Sequence, residues 1–70
     1  MTSEIQVGDF VKGSYKFGCI QGVVTTVKKE VIVIKKCSPH YNTFTQTNEL
    51  VNVTRKRIYQ VGLEENETII

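Results

Sequence analysis

Alanine is absent from this chain and leucine occurs only at Leu50 and Leu63, whereas it holds ten Val, seven Ile and eight Thr. β-Branched side chains lose freedom in a helix and pack well on a pleated surface. The balance therefore directs the chain into strands and away from helices. The β-formers come in short runs, at 7–12, 19–27, 31–35, 50–54 and 58–61, and each run is predicted to be a strand. Seventy residues make one domain. A chain of that size buries about 60% of its unfolded surface, which leaves little room for a deep catalytic cleft. A binding surface is the expected mode of action.

Two Val-Gly steps, Val7-Gly8 and Val61-Gly62, bracket these runs, and Val7-Gly8-Asp9-Phe10-Val11-Lys12-Gly13 reads as one edge of a small closed β-barrel. Residues 13–18 read as a loop held between glycines, with Tyr15 and Phe17 inside it. Gly22 inside the second run predicts a bulge or sharp bend of the kind that closes a small barrel. Lys28-Lys29-Glu30 reads as a hairpin connection. Val31-Ile32-Val33-Ile34 is apolar on both faces, so it is a central strand or has one face covered by a loop or partner. Residues 37–48 lack periodicity and contain Pro39; they read as a long loop between strands three and four, a frequent place for function. Arg55-Lys56-Arg57 reads as a tight turn or one turn of 3₁₀ helix. The expected organisation is a flexible N-terminus at 1–6, a five-stranded barrel at 7–62 and an acidic tail at 63–70.

Charge follows the same boundaries. All nine Lys and Arg lie between Lys12 and Arg57, while Glu4, Glu64, Glu65 and Glu67 lie outside residues 9–61. Nine basic against three acidic residues give that core +6, compared with +2 for the whole chain. Phosphate backbones attract such a surface. The candidate phosphate contacts are Lys28, Lys29, Lys35 and Lys36, at the two ends of the third strand, and Arg55, Lys56 and Arg57 at the turn. Tyr15 and Tyr41 are candidates for stacking on bases. The competing reading is ordinary surface charge that keeps a small domain soluble. His40, Tyr41 and Phe44, in the 37–48 segment, are candidate contacts to a protein partner. Phe17 and Phe44 also read as plugs at an open barrel end, and Phe10 and Tyr59 as core or rim.

Nothing at the N-terminus resembles a signal peptide, and no apolar run approaches the ~20 residues that span a bilayer. A cytoplasmic location with reduced thiols is expected, and no membrane partner. Cys19, Cys37 and His40 lack both a closely spaced Cys pair and a fourth ligand, so no metal site is expected. Cys37 and His40 lack an orienting third group for thiol catalysis. No glycine-rich phosphate loop or paired carboxylates occur. The chain is expected to be neither an enzyme nor a cofactor carrier.

Val7-Gly8-Asp9-Phe10-Val11 resembles the opening strand of SH3-like small barrels of the Tudor and KOW kind. Phe17-Gly18 with Gly22-Val23-Val24 and Val27 is similar to their second strand, and Val31 with Val33 to their third. Val53 through Arg55-Lys56-Arg57-Ile58 to Val61 resembles their strand, short 3₁₀ turn and closing strand. The resemblance covers residues 7–62. It implies a module that binds nucleic acid, an RNA polymerase, a ribosomal component or a peptide tail. The chain departs from Tudor readers of methylated tails in having no Trp, and from KOW motifs in the length of segment 37–48.

These readings converge on a non-catalytic module that contacts nucleic acid or a transcription or translation complex through a basic surface. The alternative is a protein-interaction adaptor or inhibitor of the kind phages encode, acting through a barrel edge or the 37–48 loop. Self-association into a homo-oligomer is a variant of that alternative.

Overall fold

The structure is a computed structural model and describes residues 4–70. Six strands form one sheet: β1 (Phe10–Tyr15), β2 (Gly18–Val27), β3 (Val31–His40), β4 (Thr43–Thr54), β5 (Ile58–Val61) and β6 (Thr68–Ile69). A single 3₁₀ turn, Arg55–Arg57, joins β4 to β5. Strand order is β5-β1-β2-β3-β4-β6. β1 to β4 form an antiparallel meander, β5 adds antiparallel to β1, and β6 adds parallel to β4. No helix among the described residues is long and apolar enough to cross a membrane.

Three expectations are corrected here. The sheet is open and six-stranded rather than a closed five-stranded barrel. The 3₁₀ turn carries the chain from the end of β4 to the far side of β1, so β4 and β5 share no ladder. Residues 37–48 are not a loop. They extend β3 and β4 into a long hairpin that turns at Tyr41-Asn42, with His40 opposite Thr43. Tyr41 adopts φ 57° there, and the Thr43 hydroxyl donates to the His40 carbonyl at 2.7 Å. Pro39 is tolerated in this strand because the β2–β3 ladder stops at Gly22 opposite Lys36; beyond it β3 has lost one neighbour and needs no N–H on that side. The glycine-bracketed loop at 13–18 shrinks likewise to the pair Lys16-Phe17, with Tyr15 opposite Gly18.

The first strand begins at Phe10 rather than Val7. Val7-Gly8 is a turn in which Gly8 takes φ 99°, and its N–H donates to the Val24 carbonyl at 2.9 Å. Gly62 takes φ 97° and donates to the Phe10 carbonyl at 2.6 Å. Both Val-Gly steps thus fix the chain around the start of β1, using backbone angles that glycine adopts without cost from a side chain.

Two apolar cores lie on the two faces of the sheet. The larger joins Val11, Ile20, Val24, Ile32, Ile34, Val51 and Val53, with Ile5, Tyr15 and Ile58 packed at its margin. Burying each such aliphatic side chain contributes roughly 1.5–3 kcal/mol. The smaller joins Phe10, Cys37 and Phe44, with Val23 and Ile69 against them. The change of face occurs at a register shift between Lys35 and Cys37. The extra residues at this shift are on β4, where residues 47–49 stand opposite Lys36 alone, while β3 keeps its alternation and so carries Ile34 and Cys37 on opposite faces. Of the segment expected to be flexible, residues 1–3 lie outside the described residues, and Ile5 packs on the larger core.

The acidic tail is part of the fold. Glu67 accepts from the Glu64 N–H at 2.8 Å and from Lys12 Nζ at 3.0 Å, and Ile69 then closes the smaller core. The Glu64 amide, followed by Lys12, holds the Glu67 carboxyl below its ordinary value of 4.5. A depressed carboxyl stabilises above its unfolded value and loses that stabilisation as pH falls through the lowered folded value. Melting temperature is therefore expected to fall on acidification below about pH 4.5. Glu67→Gln should flatten part of that limb in a series of thermal melts.

Candidate nucleic-acid interface

The meander decides where the basic residues go. Its antiparallel order sends the turns at 16–17 and 41–42 out of one end of the ladder and the turn at 28–30 out of the other. The 3₁₀ turn at 55–57 joins the 28–30 end. Arg55 is the clasp: its backbone N–H donates to the Glu30 carbonyl at 2.9 Å. Its side chain donates from Nε to the Lys29 carbonyl at 3.1 Å and from Nη2 to the Lys28 carbonyl at 2.6 Å. An open cavity of about 160 Å³ lies between the two turns, lined by Lys29, Glu30, Thr54, Arg55 and Lys56.

Lys28, Lys29, Lys56 and Arg57 are exposed beside Arg55, and Glu30 is the one acid on these turns. Five cations against one carboxylate leave this end at +4. The cationic heads stand on turns fixed by three hydrogen bonds, so their placement costs little further ordering of the backbone.

Lys35 and Lys36 lie elsewhere. β3 runs on to His40, so these residues are mid-strand, about 13 Å along it from Val31. They are half-buried, and Lys36 Nζ approaches Glu49 at 3.9 Å. Lys12, which sequence reading did not single out, is taken by Glu67 and lies 5.3 Å from the centre of the Phe44 ring.

The aromatic residues do not gather into one patch. Tyr15 is half-buried against the larger core. Phe44 is buried in the smaller one, 4.7 Å from the Phe10 ring, so it is not open to a partner. His40 and Tyr41 stack edge-on at 4.6 Å on the 41–42 turn, with Tyr41 91% exposed. Phe17, expected as a plug, is fully exposed at the tip of its turn. Its neighbours Lys16 and Gly18, both turn-compatible, were the available signal. Tyr59 is an exposed residue of the β5 edge rather than core. The Tyr59 hydroxyl is pushed up in pKa by the Cys19 side chain beside it.

Cys19 is exposed, whereas Cys37 is sealed in the smaller core and burial raises its thiol pKa. His40 belongs to the exposed hairpin turn. The geometry can therefore attract and position an anion at one end of the sheet. No protein-family model matches the chain, and neither a curated protein nor a solved structure is significantly similar to it.

Proposed function

We propose that this chain is a non-catalytic binding module that contacts nucleic acid, or a nucleic-acid machine, through the end of the sheet formed by residues 28–30 and 55–57. The observation that carries this reading is the Arg55 clasp, which unites two cationic turns 25 residues apart in sequence around one open cavity. The order β5-β1-β2-β3-β4, with a 3₁₀ turn between β4 and β5, also supports an SH3-like sheet of the Tudor or KOW kind. A cytoplasmic location accords with this role.

Four exposed cations that each neutralise one phosphate set a log–log salt slope of about −3.6 on a duplex. Replacing Lys28, Lys29 and Lys56 with Gln should reduce it to about −0.9. Fluorescence anisotropy with labelled DNA and RNA, from 50 to 200 mM salt, measures both. An unchanged slope in the triple variant, or no binding by the parent at micromolar protein, defeats the reading.

A second reading has its own observation. Phe17 and Tyr41 stand exposed on two turns at the opposite end, and Tyr59 and Val61 are exposed along the β5 edge. A protein partner or a second copy engaged there is the adaptor or inhibitor alternative, of the kind phages encode. Light scattering that finds a dimer weakened by Tyr59→Lys would favour this reading.

A further inference from the structure

We infer that this chain pairs with a second copy of itself through the open edge of β4, from Leu50 to Thr54; the inference goes beyond the nucleic-acid reading and does not depend on it. The two edges of the sheet are built differently. β5 is four residues long, and its ladder with β1 slips between Lys12 and Gly13, so that Tyr59 stands unmatched. A bulge of that kind guards an edge against further pairing. β4 is covered by β6 only as far as Gln46, whose N–H donates to the Ile70 carbonyl at 3.4 Å. Beyond the irregular residues 47–49, Leu50-Val51-Asn52-Val53-Thr54 runs in unbroken register along Lys35 to Val31 of β3. Among the described residues no strand pairs with its other side. The segment carries no proline, charge or bulge, the devices that usually keep such an edge single.

The segment is complementary to itself. In an antiparallel ladder, a residue that turns its N–H and C=O toward the other strand must meet one that does the same. Around a two-fold axis at Asn52, residue 50 meets 54, 51 meets 53 and 52 meets its own copy, so the condition holds along the whole segment. Leu50, Asn52 and Thr54 are exposed on one face, while Val51 and Val53 lie in the larger core on the other. Leu50 then packs on the partner's Thr54, and the two Asn52 amides face each other across the axis. Charge agrees at the ends. Glu49 is exposed and approaches Lys36 only at 3.9 Å, and the pairing brings it to the partner's Arg55 and Lys56, where the ladder runs out. Glu30, the one acid of the basic turns, belongs to the β3 side of β4, away from the open edge. The antiparallel sense holds the two basic ends, Arg57 included, at opposite ends of the shared ladder, so they do not repel face to face. An interface that uses one patch twice in this way closes at two copies.

The test is analytical ultracentrifugation of the full chain from about 10 µM to about 1 mM. A ladder this short makes a weak dimer, half formed near about 100 µM. Asn52→Lys sets two ammonium groups across the axis and should weaken the dimer at least about tenfold; Asn52→Glu should do the same. Both should stay folded by circular dichroism, since the position is exposed. Mixing the two variants should restore association, as a heterodimer within about twofold of the parent's affinity or tighter. Glu49→Lys and Lys56→Glu should each weaken the dimer about fivefold, and the double variant should recover to within about twofold. A strict monomer at about 1 mM, a dimer indifferent to Asn52→Lys, or no recovery on mixing overturns the inference. A dimer weakened by Tyr59→Lys and not by Asn52→Lys assigns self-association to the β5 edge and overturns it too. Each of these failures leaves the nucleic-acid reading intact.

Discussion

Ile32→Ala is expected to cost about 4 kcal/mol of folding stability. Ile32 is wholly buried, on the central strand β3, among Val24, Ile34 and Val53 in the larger core. Truncation removes three methyl or methylene groups and leaves a cavity that a sheet anchored on both sides cannot fill. A 70-residue domain has a total stability of only about 4–10 kcal/mol, so the variant should lie near its unfolding midpoint at 25 °C. Urea denaturation followed by circular dichroism measures this. Leu50→Ala is the matched control: Leu50 is 61% exposed on the neighbouring strand, and its loss should stay within about 0.5 kcal/mol. Equal losses at the two positions would contradict the assignment of core and surface.

Gly22→Ala should be nearly as damaging, by about 3 kcal/mol, although it adds a single methyl group. A Cβ at Gly22 would land on the Lys35 carbonyl oxygen of the paired strand and lie 3.2 Å from Ile34 Cδ1. Backbone cannot move aside as a flexible side chain can, so β2 and β3 would have to separate at the Gly22–Lys36 pair. Gly18→Ala is the contrast, because its Cβ would meet nothing within 4 Å. That substitution should be neutral or stabilise by a few tenths of a kcal/mol through the unfolded chain. Thermal melts of the two variants decide the matter; a tolerated Gly22→Ala would mean that β2 and β3 are less closely apposed.

Most of the strands were legible because their residues alternate or are continuously apolar. Val31 to Ile34 and Cys19 to Val27 are rich in the β-branched residues that pack on a pleated surface, and Ile58 to Val61 alternates half-buried with exposed positions. The 3₁₀ turn at Arg55–Arg57 was legible for the complementary reason, three polar residues between two such runs. The outer half of the β3–β4 hairpin was not. Ser38, His40, Thr45 and Gln46 are exposed because that arm projects beyond β2, so no alternation marks it. Its turn, Tyr41-Asn42, also lacks the glycine by which tight hairpins announce themselves. Gly22 was read as a sign of bending; the irregularity of β2 lies at Thr25 instead, and Gly22 serves close approach. In the candidate site the cations were legible from charge alone. Their grouping was not, since only tertiary structure brings Arg55 to the carbonyls of residues 28 and 29.

The pairing that places Val11 beside Val61, and Lys12 beside Glu67, has a consequence for the order of folding. Contacts between chain ends must overcome the entropy of closing nearly the whole polypeptide into a loop, whereas the hairpins of the meander close only short ones. β2, β3 and β4 can therefore pair early, and with them residues 28–30 meet Arg55. β5 and β6 dock afterwards. The cationic end is a product of the early, local half of folding, and the docking of the C-terminal residues seals a molecule whose two basic turns have already met.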